Sequence, residues 1–500
     1  MMPEKRVWAK GIVLLLAAVI ALSVLPAPVH AQPQAKLVII TPHWEGIRKE
    51  YDAAFKAWYK QRHGVDVEIV WESMGTSDCV RAIEDWYSKH EEGRWDIMWG
   101  GGVDPFLKLK AEGLLEAFPP SEDKEFAQIL AQIPKEFNGI PVYDYKDYMW
   151  FGTALSGFGI IYNKPLLKKL GLPEPKTWAD LTDYKMQGWV GSADPRHSGS
   201  THMAYEIILQ AYGWEKGWAI ITEMGGNIRD FPEHSSAIPK AVASGQLAYG
   251  LAIDFYAWAQ IAKVGSENIG YVMPEGLTVI NPDSIAILKN APHRDVAREF
   301  LKFVLSKDGQ KLWMLPAGKY PDGPKKYTLG RMSVIPSLYD ELKDRSIVPV
   351  NPFKIKSVLK YDAAKGGKRW SLVNDLFGAL IIDTHDDLVA AWKALNENKD
   401  KMSQEDYQRI LAEFTKLPLT EEEAMEYASK WNDQAFRNKK ISEWRNFAVQ
   451  KYRKVVDMVN QAVKSQQGQP GAPDYTLYIG AALAVVAVAA AAWYLAKKRK

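Results

Sequence analysis

Four consecutive residues, Ser198, Gly199, Ser200 and Thr201, carry the strongest chemical signal in this 500-residue chain. They stand where a short apolar segment, WVGSA at 189–193, gives way to a helical pattern running from His202 to about Tyr212. Hydroxyls and a glycine at a helix start leave backbone N–H groups exposed, and the helix N-terminus adds about half a positive charge. That is chemistry for holding an anionic oxygen of a carboxylate, phosphate or phosphonate. The same residues would also serve as a plain N-cap with no ligand, one serine accepting from the first turn. Ser73, Gly75 and Thr76 repeat the pattern after the alternating run VDVEIVW, and Gly101 sits in a run of three glycines after WDIMW.

Other candidates are single residues. Asp254 ends the apolar run LAYGLAI, where its carboxylate would meet a ligand ammonium or a metal, or cap the next helix. Trp44 and Trp99 follow or end apolar runs, and each would either face a cationic ligand or pack inside a lobe. Glu45, next to Trp44, is a cleft acid or a solvated one. Catalytic signatures are missing: there is no GxSxG, HExxH or phosphate-binding P-loop. His197 and His202 have no cysteine partners of zinc spacing, and Cys79 is the only cysteine, so no internal disulfide forms.

The elements that must position these residues are legible from periodicity. AKLVII at 35–40, VDVEIVW at 65–71 and WDIMW at 95–99 read as strands separated by helical patterns, one of them carrying Tyr51, Phe55, Trp58 and Tyr59. GIIYN at 159–163, WVGSA, LAYGLAI and DSIAIL at 283–288 continue the scheme. Alternating strands and helices imply parallel α/β layers with right-handed crossovers. In such sheets ligands lie against the loops after the strand carboxyl ends, where the candidates above fall.

Four segments in order, ALSGFGIIYNKPLL, TWADL, GWVGSADPRHSGSTHMA and DSIAILKNAPHRDVAREFLKFVLSKDGQKLW, resemble the extracellular solute-binding proteins of ABC importers. The subgroup is the one with ferric-iron, phosphonate and polyamine-type binders, and the likeness covers roughly residues 36–327. It implies a two-lobed, type II periplasmic-binding-protein fold. Residues 36–150 and 274–345 would form lobe 1 and residues 151–273 lobe 2, with crossovers near 150–156 and 273–284. The lobes would close on a small anionic or zwitterionic ligand, such as an amino-phosphonate, and an ABC permease would be the partner. It implies no catalytic residue and no cofactor. Ferric binders of the subgroup use adjacent tyrosines; this sequence has no Tyr-Tyr pair, and Tyr320 and Tyr327 stand apart, so ferric binding is disfavoured.

The remaining sequence concerns placement. Lys5, Arg6 and Lys10 precede an apolar run at 11–25, and Ala31 closes a signal-peptide pattern over 1–31. Residues 346–465 read as a helical extension, a spacer or a stabilising subdomain, and 466–474 as a linker. Residues 475–496 read as a membrane anchor, since about 20 apolar residues span a hydrocarbon core. The basic residues 497–500 would then be cytoplasmic and the binding lobes extracellular on the cell membrane. A net charge of +3 gives no electrostatic case for nucleic acid. Two rival classes remain. A sensing or adhesion ectodomain would need a signalling partner, and a secreted surface hydrolase would need a catalytic pair that no motif supplies.

Overall fold

The computed structural model describes residues 35–467 apart from 138 and 356–358. Its strands, in chain order, are β1 (Ala35–Thr41), β2 (Val67–Ser73), β3 (Ile97–Trp99), β4 (Leu115–Glu116), β5 (Glu136–Phe137), β6 (Ile140–Pro141), β7 (Phe151–Asn163), β8 (Val190–Gly191), β9 (Tyr249–Ile253), β10 (Ile269–Val272) and β11 (Ile280–Leu288). The main sheet runs β2-β1-β3-β11-β7-β9-β8, with β10 also on β7 and β4 also on β11; β5 and β6 pair separately. β1 lies parallel to β2 and β3, whereas β11 is antiparallel to β3 and β7. In lobe 2, β9 is antiparallel to β7 and parallel to β8.

β7 ties the lobes together. All 13 of its residues are buried, and its sequence, FGTALSGFGIIYN, has no charge to solvate on either face. Its first half pairs with β11, from Phe151 to Gly157, and its second half with β9, from Phe158. Ala154 and Leu155 belong to the lobe 1 core, while Phe158, Ile160 and Tyr162 belong to that of lobe 2. The changeover thus falls at Ser156 to Phe158, at the end of the expected first crossover. The second crossing is the stretch between β10 and β11, within residues 273–284.

Each parallel strand feeds a helix whose buried face repeats every three to four residues. In Glu45–His63 that face is Ile47, Tyr51, Phe55 and Tyr59, and Gly64 in a left-handed conformation closes the helix.

Beyond lobe 1 come the helices Ala363–Phe377, His385–Glu397, Gln404–Thr415, Glu421–Ala428 and Gln434–Gln467. They do not form a free-standing bundle. Leu372, Val373, Leu376, Phe377 and Trp392 share one continuous apolar core with Tyr205, Ile208 and Trp218 of lobe 2. Tyr205 and Phe377 have ring centroids 4.2 Å apart.

The fold class expected from sequence is corrected in one part. The two-lobed α/β architecture is present, but no helix among the described residues is long and apolar enough to cross a membrane. The longest, Gln434–Gln467, buries Trp444, Tyr452, Val455 and Val459 along one side, but Arg437, Lys440, Lys451 and Lys454 interrupt any apolar run. Residues 475–496, to which the anchor was assigned, lie outside the described residues, as do the signal-peptide pattern at 1–31 and the tail 497–500. Helix continues to Gln467, so the first two residues assigned to the linker are helical, and 468–474 lie outside the described residues.

Candidate functional site

A cavity of about 330 Å³ lies between the lobes. Lobe 1 builds its wall from the ends of β1, β2 and β3. After β1, the Thr41 hydroxyl accepts from the His43 backbone N–H at 3.1 Å and donates to the Trp99 carbonyl, a tight turn that aims the His43 ring inward. Trp44 caps the helix Glu45–His63, which places Arg48 one turn in, on the same wall. After β2, Gly75 caps the helix Thr76–Tyr87. After β3, Gly101 takes φ 112°, a region that favours glycine. Lobe 2 answers with the helix Gly199–Tyr212. Its cap, Ser198, accepts from the Thr201 N–H at 3.3 Å, and Ser200 donates to Ser235 at 2.8 Å.

The two capped helix starts meet across the cleft. A Cβ on Gly75 would lie 2.1 Å from the His197 carbonyl oxygen, and one on Gly199 would lie 2.6 Å from the Thr76 hydroxyl. Only hydrogen fits at either point. His197 Nδ1 and Asp78 Oδ2, 3.1 Å apart, add a polar contact between the lobes. The lobes are therefore apposed, with the positive ends of two helices converging on one space.

The cavity floor is a paired cluster. Asp283 accepts from Gly101 N–H at 2.7 Å, from Gly102 N–H at 3.2 Å and from Arg331 Nη1 at 2.5 Å. His43 Nε2 lies 2.8 Å from the same carboxylate. Burial alone would push the Asp283 carboxyl up, but Arg331 and His43 together outweigh it and hold it far below the usual carboxylate range. His43 goes the other way: burial lowers its pKa more than Asp283 raises it, and its Nε2 faces the Asp283 carboxylate. Arg331 also donates to Ser156 at 2.8 Å and stacks over Phe255 and Trp313 at 4.5 and 5.1 Å. Arg48 differs. It forms no ion pair among the described residues, and its Nε is buried without a hydrogen-bond partner. A guanidinium left in this state beside an open space is available to an anion.

Of the residues singled out in sequence, Trp44, Ser73, Gly75, Thr76, Gly101, Ser198, Gly199 and Ser200 line the cavity. Three do not. Glu45 is exposed and paired with Lys49. The Thr201 hydroxyl is buried and donates to Ser198 Oγ at 3.0 Å. Asp254 sits behind the wall, accepting from the Gly157 and Phe255 N–H groups at 2.7 and 2.6 Å, and burial pushes its pKa up to about 7. Trp99 also packs behind the site, edge-on to His43 and donating to Thr153 at 3.0 Å. Sequence reasoning missed His43, Arg48, Tyr256, Asn281, Asp283 and Arg331. Arg48 had a signal, four residues after Trp44 on one helix face; Arg331 had none.

A sequence model of the bacterial extracellular solute-binding protein family matches residues 51–328. The phosphoglycerate transport regulatory protein PgtC of Salmonella typhimurium is 26% identical over 295 residues, covering 58% of this chain and 69% of that protein. The major ferric iron-binding protein of Neisseria meningitidis is 24% identical over 241 residues, covering 46% of this chain and 66% of its own length. Among solved structures, the periplasmic binding protein AfuA of Actinobacillus pleuropneumoniae, with fructose-6-phosphate bound, is 22% identical and covers 72% of this chain and 98% of its own, with a TM-score of 0.55. That likeness shows the shared two-lobed fold. With more than half of its length matched and a cavity set between two hinged α/β lobes, the chain belongs to the bacterial extracellular solute-binding proteins.

Proposed function

We propose that this protein captures a small organic phosphate ester outside the cytoplasm by closing its lobes, and hands it to an ABC importer. The observation that carries this reading is the unpaired Arg48 guanidinium on a wall where two helix N-termini converge. Hydroxyls of Ser198, Ser200 and Ser235 supply further hydrogen bonds to phosphate or sugar oxygens. The names of PgtC and of the AfuA complex, phosphoglycerate and fructose-6-phosphate, belong to the same chemical class and support it. An amino-phosphonate loses its motive, because Asp254 is buried with both oxygens occupied and faces no ammonium.

Ferric ion finds a poor donor set. The phenol of Tyr256 lines the cavity, but burial pushes its pKa up to about 12, away from the phenolate that iron needs. Asp283 is already held by Arg331 and His43. Among the described residues no three His, Cys, Asp or Glu side chains group as metal ligands.

Calorimetry with 2- and 3-phosphoglycerate, fructose 6-phosphate, inorganic phosphate and ferric citrate tests the reading. A phosphate ester should bind, and Arg48→Met should weaken it about 10- to 100-fold, the worth of a lost charge-assisted contact of about 1.5–3 kcal/mol. Tight ferric binding, or an Arg48→Met protein that binds the ester as well as the parent, overturns it. A second reading, a ligand sensor, takes support from the word "regulatory" in the name of the Salmonella relative. Loss of ester uptake in cells lacking the protein favours import; loss of an induced transport response with uptake machinery intact favours sensing.

A further inference from the structure

The helical extension touches both lobes, and the two contacts differ in kind. Against lobe 2 it is welded. Besides the shared apolar core, Arg369 donates to Glu206 from Nε at 3.1 Å and from Nη2 at 2.7 Å, both side chains fully enclosed. Trp392 donates to Asn227 at 2.8 Å, and Arg196 reaches Asp383 at 2.9 Å. The extension therefore moves with lobe 2.

Against lobe 1 the helix Ala363–Phe377 packs closely along the helix Asp104–Ala111, and the side-chain bonds across that contact are polar. Tyr361 donates to Asp104 at 2.5 Å. Trp370 and Asn374 donate to Ser77 Oγ at 3.3 and 3.4 Å. Gly366 and Gly367 lie so close to lobe 1 that a Cβ would stand 2.3 Å from Asp104 Oδ2 and 3.0 Å from the Asp104 carbonyl oxygen, respectively.

Its place in the fold couples this contact to the cleft. Ser77 follows Thr76, which faces Gly199 across the cleft. Asn374 is fixed to lobe 2 by His202, 2.7 Å away, on the same helix as Gly199. Any hinge motion that parts Thr76 from Gly199 must part Ser77 from Asn374. We infer that the extension supplies positioning residues for the binding site. It clasps the back of the helix Thr76–Tyr87 and of the helix Asp104–Ala111, and so holds the lobes together around a solute it never touches. The role as a clasp on bound solute rests on the proposed function; the clasp on the lobes themselves does not.

Gly366→Ala tests this without weakening the helix Ala363–Phe377, since alanine is the better helix former. Its methyl group displaces the Asp104–Tyr361 pair. Tyr361→Phe removes the hydrogen bond alone and serves if the first variant fails to fold. Spin labels on Lys89→Cys in lobe 1 and Lys240→Cys in lobe 2 report lobe separation; the fully buried Cys79 does not label. Without any ligand, both variants should shift the distance distribution toward wider separations. With a bound phosphate ester, they should raise the dissociation rate threefold or more and leave the association rate within twofold. Unchanged distances in folded variants overturn the inference. If no ester binds the parent, the proposed function fails while the ligand-free distances still decide the clasp.

Discussion

Two arginines lining one cavity make opposite statements. Arg331, on the floor, is enclosed between Phe255 and Trp313 and bonded to Asp283 and Ser156. Arg48, one turn along the first helix, has no acid partner among the described residues. The floor's charge is balanced without a guest and that of Arg48 is not. A charge already neutralised shapes the site; a charge left open selects what enters it. The buried carboxyls divide the same way. Asp283 has Arg331 and is driven down, whereas Asp254 has only backbone N–H groups and is pushed up.

The floor should yield the largest effect. Removing one member of a buried ion pair strands the other, at a cost of about 3–5 kcal/mol. Asp283→Ala leaves Arg331 enclosed without a counter-charge and the Gly101 and Gly102 N–H groups without an acceptor. Urea unfolding should show that loss. Asp283→Ala with Arg331→Met should recover more than half of it, because the stranded charge is gone. If the double variant is no more stable than the single one, the floor is not the paired structural unit contrasted here with Arg48.

The next effect belongs to the seam between lobes. Gly75 has φ −61° and ψ 156°, a conformation any residue adopts. Gly75→Ala therefore adds no backbone strain of its own. Its methyl group would meet the His197 backbone oxygen at 2.1 Å, and a backbone gives way only if the lobes part. Affinity for a phosphate ester should drop tenfold or more, about 1.4 kcal/mol, in calorimetry. Parent-like affinity in this variant means that the apposition of Gly75 and His197 is no part of the bound state.

The loops of the site were legible because of where parallel strands end. Ser73, Gly75, Gly101, Ser198 and Ser200 follow such strands, and hydroxyls and glycines at helix starts together with the family resemblance singled them out; the cavity is lined by all five. Direction was not legible. Glu45, Thr201 and Asp254 stand next to cavity residues in the chain, yet each step along a helix turns a side chain by about 100°. Arg331 arrives from an irregular stretch beside Met332, which meets the sheet through a bridge to Leu155, and no local pattern marks it. The extension's helices were readable as amphipathic segments. That their apolar faces complete lobe 2 was not, since a hydrophobic stripe does not name what it packs against.

The smallest effect concerns Asp254, the carboxyl without a cation. Its pKa is about 7 in the folded protein against about 3.9 for an unfolded aspartate. The folded state thus keeps its proton over a range where the unfolded state has released it. The stabilisation is fully present below the unfolded value and disappears as pH rises through about 7. Other carboxylates, Asp283 foremost, act in the opposite sense at lower pH, so the Asp254 contribution appears as a difference between proteins. Asp254→Asn cannot titrate. Between pH 5 and 7.5, the parent's unfolding free energy should fall relative to that of Asp254→Asn, most steeply between about pH 5 and 6 and levelling off above about 7. Parallel curves for the two proteins would place the Asp254 pKa in the ordinary range and remove the contrast with Asp283.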